Sequence, residues 1–330
     1  MSVYLSTGVA EPRTLLKHLI CSDRYNISDL ELIQIFSFGE AISTKEINSQ
    51  KYRLKTFFKG WIADEAISEG RVDLIPGFFS QIPHLIGSGQ LSINAAFIQV
   101  TPPNDAGYCC LGISMDAARQ AIKVADLVVG EINESVPRTF GDTFVHVDDF
   151  DFFVQSEEPP IYFPRIQPAE VFNQIAANIA SVIEDGSLLA YSIGPIFEAL
   201  SKHLSKKHDL GIQSPFFTDA LMELCKSGAV NNRNKRVFRG KSLASYALGS
   251  PDLMKWLHNN PMVEFQSTEI TFNPIKIGQN PKFMAIIPCR KVDMGGRIVL
   301  FSGKANTGAT PGEVANLATA ARLSRGGTSI

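Results

Sequence analysis

Apolar residues recur along this chain in two alternating rhythms. Short apolar runs read as strands: VYLSTG (3–8), LELIQIFSF (30–38), VDLIPGF (72–78), INAAFIQVTPP (93–103) and DLVVGEIN (126–133), while RLKTFFKGW (53–61) leads into the next helix. Between them, PRTLLKHLI (12–20), ADEAISEG closed by Gly70, SQIPHLIGSG closed by Gly87 and Gly89, and MDAARQAIKVA (115–125) carry helical spacing. Strands separated by helices of this length predict a mainly parallel α/β sheet. FVHVDDFDFFV (144–154) is expected at a sheet edge.

SEEPPIYFPRIQP (156–168) then holds four prolines in thirteen residues and reads as a linker. Beyond it the rhythm restarts. AEVFNQIAANIASVIEDG (169–186) predicts an amphipathic helix ended by Gly186, SLLAYSI (187–193) a strand and GPIFEALSKHL (194–204) a helix. TDALMELCKSGAV and GEVANLATAARLS predict further helices; SLASYALGS, VEFQSTEI, FMAIIPC, RIVLFSG and the closing RGGTSI predict strands. The expected organisation is two α/β domains, 1–165 and 166–330. A chain that opens on one strand and stops as another begins is expected to be part of a longer protein.

Composition narrows the function classes. The 330 residues are 45% apolar and 19% charged, with a formal charge of -2, which suits a soluble globular protein and argues against a nucleic-acid binder. The basic stretch NNRNKRVFRGK (231–241) reads as a solvated loop. No run reaches the roughly 18 to 20 apolar residues of a membrane span. The N-terminus lacks a signal peptide's basic start and is broken by Glu11 and Pro12. Five scattered cysteines without a CxxC pair point to reduced thiols and a cytoplasmic location. The six histidines show no metal spacing, so no metal site is expected.

Several loops carry candidate chemistry. TPPNDAGYCCLG (101–112) follows a buried strand and offers Asn104 and Asp105 at a carboxyl end of the sheet, or is a rigid connector. In VPRTFGDTFVHV (136–147), Arg138 and Asp142 could bind an anion or pair with each other. SIGPIFEAL (192–200) places Gly194 before a helix, whose free N–H groups suit an oxyanion. GxGxxG, GxxxxGK[ST] and GxSxG are absent, which leaves nucleotide-loop and serine-hydrolase readings without support. MAIIPCRKVDMGGRI (284–298) ends an apolar strand on Arg290 and Lys291.

Read together, these stretches resemble the acetyl-CoA hydrolase/CoA-transferase family, which includes acetate and 4-hydroxybutyrate CoA-transferases. The resemblance is carried by EGRVDLIPGFFSQIPHLIGSG (69–89), QVTPPNDAGYCCLGIS (99–114), VPRTFGDTFVHV, VIEDGSLLAYSIGPI (182–196), FTDALMELCKSGAV (217–230), KSLASYALGS (241–250), NNPMVEF (259–265) and GQNPKFMA (278–285). It implies two related open α/β domains facing each other across a cleft, the C-terminal one incomplete. It also implies coenzyme A or acyl-CoA as substrate, a small carboxylic acid as partner, and a tendency to homo-oligomers. The implied mechanism is covalent: a glutamate attacks the thioester, forming an acyl-glutamyl anhydride and then a glutamyl-CoA thioester.

The same resemblance exposes departures. The family's strand end A-L-E-V-D-L-x-G matches CRKVDMGG, with Lys291 at the glutamate and Asp293 kept. G-I-G-x-I-P reads SIGPIF, with Ser192 and Phe197 substituted and Gly194 retained. T-E-x-F-S-D-G reads SPFFTDA, with Pro215 for the glutamate and Asp219 kept. G-G-Q-V-D-F reads PGEVAN, which keeps Gly312. The resemblance therefore implies Lys291, Asp293 and Gly194 as the candidate catalytic set, and Ser192, Gly194, Asn280 and Gly312 as the candidate coenzyme A contacts. Two functions fit. In the first, the chain is a CoA-transferase or acyl-CoA hydrolase acting on acetyl-CoA or another short acyl-CoA, with Asp293 or Glu313 replacing the lost carboxylate. In the second, it is a catalytically impaired acyl-CoA-binding module attached to another domain, such as a GNAT acetyltransferase.

Overall fold

The computed structural model describes residues 1–22, 29–39, 51–58, 66–67, 70, 72–302, 305–306 and 310–330. Seven strands form a first sheet in the order Phe152–Gln155, Leu127–Ile132, Ala95–Val100, Ser2–Leu5, Leu30–Gln34, Tyr52–Thr56, Val72–Leu74, and every pairing in it is parallel. Its central strands are buried along nearly their whole length, which is why they read as unbroken apolar runs. Phe152–Gln155 lies at the edge, where Phe152 can be 64% exposed.

A second parallel sheet runs Gly211–Ile212, Leu188–Ala190, Phe283–Ala285, Thr328–Ser329. A bridge between Gln213 and Leu243 continues it into Ser242–Ala244, Val263–Phe265 and Phe140–Gly141. Phe140–Gly141 comes from the first half of the chain, so the two halves are stitched together. The join demands glycine: Gly141 has φ +111°, and a Cβ there would stand 2.1 Å from the Phe265 carbonyl oxygen. One hydrophobic cluster spans both halves, from Tyr4 and Phe36 to Phe216 and Tyr246. The fold is thus mixed α/β with mostly parallel sheets.

Several elements differ from the sequence expectation. The helix expected to run to Gly186 is Glu170–Val182 and stops four residues earlier. RIVLFSG forms strands as expected, in small antiparallel pairs: Ile298–Val299 with Lys291–Val292, and Phe301–Ser302 with Ala305–Asn306. LELIQIFSF leaves the strand after Gln34. Most of ADEAISEG lies outside the described residues. In the basic stretch 231–241, Lys235 is 4% exposed and its Nζ donates to the carbonyls of Ile212 (3.1 Å) and Lys241 (2.7 Å), so this cation is a structural clamp within the loop. Burial holds its amine down to about 7.

Candidate active site

Ser192 and Gly194 share a pocket. The strand Leu188–Ala190 ends, the chain turns through Gly194 at φ +136°, and the helix Pro195–Leu204 begins. Gly194 supplies the positive φ, and Pro195 at the first helical position has no N–H to leave unsatisfied. The pocket is walled by Phe163, Arg165, Ser192, Gly194, Glu198, Thr218, Asp219 and Gly249. Arg165 reaches across to Glu198, with Nη2 at 2.8 Å and Nε at 3.3 Å from the same oxygen. Thr218 Oγ1 is buried and has no hydrogen-bond partner among the described residues, so the pocket offers one idle hydroxyl beside a helix N-terminus. Asp219 holds the opposite wall: it accepts the Ser250 N–H at 2.9 Å and the Ser250 hydroxyl at 2.5 Å. A Cβ at Gly249 would stand 2.2 Å from that carboxylate, so glycine is what lets the two segments meet.

Lys291 and Asp293 stand elsewhere, on an exposed hairpin outside the residues that line this pocket. Asp293 is used by its own turn. Its Oδ1 accepts the N–H groups of Gly295 and Arg297, both at 2.9 Å, and its Oδ2 accepts Arg297 Nε at 2.6 Å. The Arg297 N–H and guanidinium hold the carboxyl below its usual range, which makes Asp293 a weak base and a weak nucleophile. The carboxylate therefore pairs with Arg297. Lys291 pairs backbone to backbone with Val299, and its neighbour Arg290 donates its N–H to the Val299 carbonyl at 2.7 Å.

Gly312 and Glu313 open the helix Pro311–Leu323. Thr310 and Glu313 form a reciprocal capping box, which fixes the first turn. A Cβ at Gly312 would meet the Gly77 carbonyl oxygen at 2.2 Å, and Asn316 Nδ2 bonds Ser80 Oγ at 3.1 Å. The helix start is thus pressed onto the first half of the chain. Glu313 is 2% exposed, and burial raises its carboxyl to about 7. Tyr246 lies within electrostatic reach of Glu313 and of Asp116; its hydroxyl is buried without a hydrogen-bond partner among the described residues.

Asn280 is fully buried and engaged. Its Oδ1 accepts the N–H groups of Arg236 (2.8 Å) and Val237 (3.0 Å), and its Nδ2 donates to Gln213 at 3.3 Å. These bonds tie the 236–237 loop to the second sheet. Arg138 and Asp142 do not meet: Arg138 donates to the Pro102 carbonyl at 3.0 Å, and Asp142 pairs with Arg119 at 3.0 Å. Asn104 folds its own loop by accepting the N–H groups of Ala106 (3.1 Å) and Tyr108 (2.8 Å). Arg165 lies in a proline-rich linker and Tyr246 inside an apolar strand. Neither position carries a local signal; only the long-range packing gives them neighbours worth naming. Among the described residues no group of three or more His, Cys, Asp or Glu side chains could hold a metal ion.

Comparison with known proteins places this geometry. The family model for the acetyl-CoA hydrolase/transferase N-terminal domain matches residues 1–164, and that for the C-terminal domain matches residues 249–330. The chain is 35% identical over 329 residues to a 4-hydroxybutyrate coenzyme A transferase of Clostridium kluyveri, covering 99% of this chain and 76% of the relative. It is 32% identical over 303 residues to a succinyl-CoA:acetate/propanoyl-CoA:succinate CoA transferase of Fasciola hepatica, covering 90% of this chain and 62% of the relative. Among solved structures, RipA from Yersinia pestis superposes with a TM-score of 0.88 at 22% identity, covering 99% of this chain and 76% of that one. A 4-hydroxybutyrate CoA-transferase from Porphyromonas gingivalis superposes with a TM-score of 0.79 at 24% identity, covering 100% of this chain and 76% of that one; at such identities these two likenesses speak for the fold. Both curated relatives carry transferase names, and nothing in them favours the alternative of a binding module joined to an acetyltransferase. With both family models matched in order and this identity along almost its whole length, the chain belongs to the acetyl-CoA hydrolase/transferase family.

Proposed function

We propose that this protein transfers coenzyme A from acetyl-CoA or another short acyl-CoA to a small carboxylate such as acetate, with hydrolysis as the outcome when water is the acceptor. The supporting observation is the 35% identity to a CoA transferase over 329 residues. In this reading the N–H groups at the start of the helix after Gly194, with Ser192 and Thr218, receive a polar end of the substrate. Lys291 acts as a cation for the coenzyme A phosphates, on a hairpin that also carries Arg290 and Arg297. Gly312 lets the second half of the chain close onto the first. Acyl-CoA is a substrate here, and no resident metal is proposed. Five free cysteines suit a reducing, cytoplasmic setting, and no helix among the described residues is long and apolar enough to cross a membrane.

The test is acyl exchange. Incubation with acetyl-CoA and propionate should give propionyl-CoA, followed by chromatography. Free CoA without propionyl-CoA would make the protein a hydrolase. Neither product from folded protein would overturn the reading.

A further inference from the structure

We infer that Glu313 is the carboxylate that carries the acyl group and then coenzyme A in this chain, with the Tyr246 hydroxyl as donor to the oxygen that gains charge. This rests on the transferase reading above. That reaction needs a protein carboxylate, and the two positions where the family motifs hold glutamate carry Lys291 and Pro215. The replacement has to come from elsewhere in the fold.

Among the described residues five Asp or Glu side chains are buried: Glu11, Asp116, Glu131, Asp219 and Glu313. Four are committed to structure. Asp116 accepts the Tyr4 hydroxyl together with the N–H groups of Ala117 and Ala118. Asp219 is held by Ser250. Glu131 accepts the Leu15 N–H at 2.9 Å and the Ser156 hydroxyl at 2.7 Å. Glu11 faces Gln34 Nε2 at 3.2 Å and Ser37 Oγ at 3.4 Å. Among the described residues Glu313 accepts one long bond, from the Thr310 N–H at 3.5 Å. A carboxylate so lightly solvated keeps its oxygens available for attack.

The surroundings point the same way. Tyr246 is 1% exposed and its hydroxyl has no hydrogen-bond partner among the described residues, with Glu313 within electrostatic reach of the ring. The Tyr246 backbone N–H donates to the Pro215 carbonyl at 3.1 Å, so it is tied to one of the positions where the family motif holds glutamate. Asp116 accepts the Tyr4 hydroxyl, and the Tyr246 hydroxyl is left with no hydrogen-bond partner among the described residues. Gly312, immediately before Glu313, rests on Gly77 of the first half, so the carboxylate sits at the seam where the halves meet.

The chemistry balances without a redox step. A Glu313 oxygen bonds to the acyl carbon, the C–S bond breaks, and coenzyme A leaves as thiolate, giving a mixed anhydride. The thiolate attacks the glutamyl carbonyl and the original acid departs as carboxylate. An acceptor carboxylate then attacks the glutamyl thioester and releases the thiolate. The thiolate takes the new acyl group and returns Glu313 to carboxylate. Throughout, Tyr246 donates a hydrogen bond and keeps its proton. At 2% exposure, Glu313 is reached only when its surroundings open, and reclosure around the anhydride excludes water and favours transfer over hydrolysis.

The experiment uses the full chain and acetyl-CoA with propionate. Glu313→Gln keeps the capping box, since glutamine serves at that position as well as glutamate. It is expected to lower exchange by about 1,000-fold or more, and Tyr246→Phe to lower kcat by about 100-fold with KM little changed. Hydroxylamine added to wild-type protein with acetyl-CoA should leave a hydroxamate on the peptide containing Glu313, a readout that stands even if a variant fails to fold. Exchange in Glu313→Gln within tenfold of wild type, or a hydroxamate on another carboxylate, would overturn the assignment while leaving the transferase reading intact. Absence of exchange in the wild type would remove the transferase reading itself and this assignment with it.

Discussion

Gly312 and Gly77 touch backbone to backbone, so closely that a Cβ on Gly312 would stand 2.2 Å from the Gly77 carbonyl oxygen. No flexible side chain can yield there. Gly312→Ala should therefore push the helix Pro311–Leu323 away from the first half, at a cost of roughly 1–3 kcal/mol. Thermal unfolding measures it, and an unchanged midpoint would mean that the contact is not held in solution.

Asp293 gives its carboxylate to the Gly295–Arg297 turn. Asp293→Asn should leave acyl exchange within about threefold of wild type, because an exposed ion pair contributes little and the group is tied down. Loss of exchange in a variant that folds would return Asp293 to the chemistry.

Lys291 shares an exposed hairpin with Arg290 and Arg297. Lys291→Gln should raise KM for acetyl-CoA by about three- to tenfold with kcat unchanged, and flatten the salt dependence of KM. A fall in kcat at constant KM would instead give the lysine a part in the bond-making steps.

Glu313 and Lys235 set opposite slopes of stability against pH. The folded state keeps the Glu313 proton up to about pH 7, whereas the ordinary value is 4.5. The unfolded chain loses that proton first, so stability falls as pH rises through this window. Above it, the penalty is roughly 3 kcal/mol. Glu313→Gln removes it, and the variant's advantage in urea unfolding should grow as pH rises from 4.5 to about 7 and level off above that. An advantage that stays constant with pH would show that the carboxyl is not held protonated.

Lys235 releases its proton in the folded state near 7, against 10.5 ordinarily. Here the unfolded chain holds the proton longer, so stability rises with pH from about 7 upward. Lys235→Met should abolish that rise and lower stability overall, since the Ile212 and Lys241 carbonyls lose their donor. A rise that persists in the variant would assign it to another group.

How much of this was legible beforehand varies by element. The long apolar runs, such as Ala95–Val100 and Leu127–Ile132, and the strongly periodic helices, such as Glu170–Val182, were found because burial on both faces or one stripe leaves a local pattern. RIVLFSG reads as a strand because its composition suits a sheet, and composition does not say which partner it pairs with. Gly194 and Ser192 could be singled out because a glycine before a helix has a local meaning. Asn280 could not be told from a ligand contact, since its partners Arg236, Val237 and Gln213 lie more than forty positions away.

The sequence by itself determined the α/β class, the placement of most strands and helices, and the family, because each rests on spacing within a short window or on motifs kept in order. The tertiary structure decided which polar groups meet. Only the fold binds Asp293 to Arg297, buries Lys235 inside a loop that reads as solvated, and buries the Glu313 carboxyl at the start of its helix. The physical reason is that a carboxylate's reactivity depends on desolvation and on its neighbours, and both are set by segments remote in sequence.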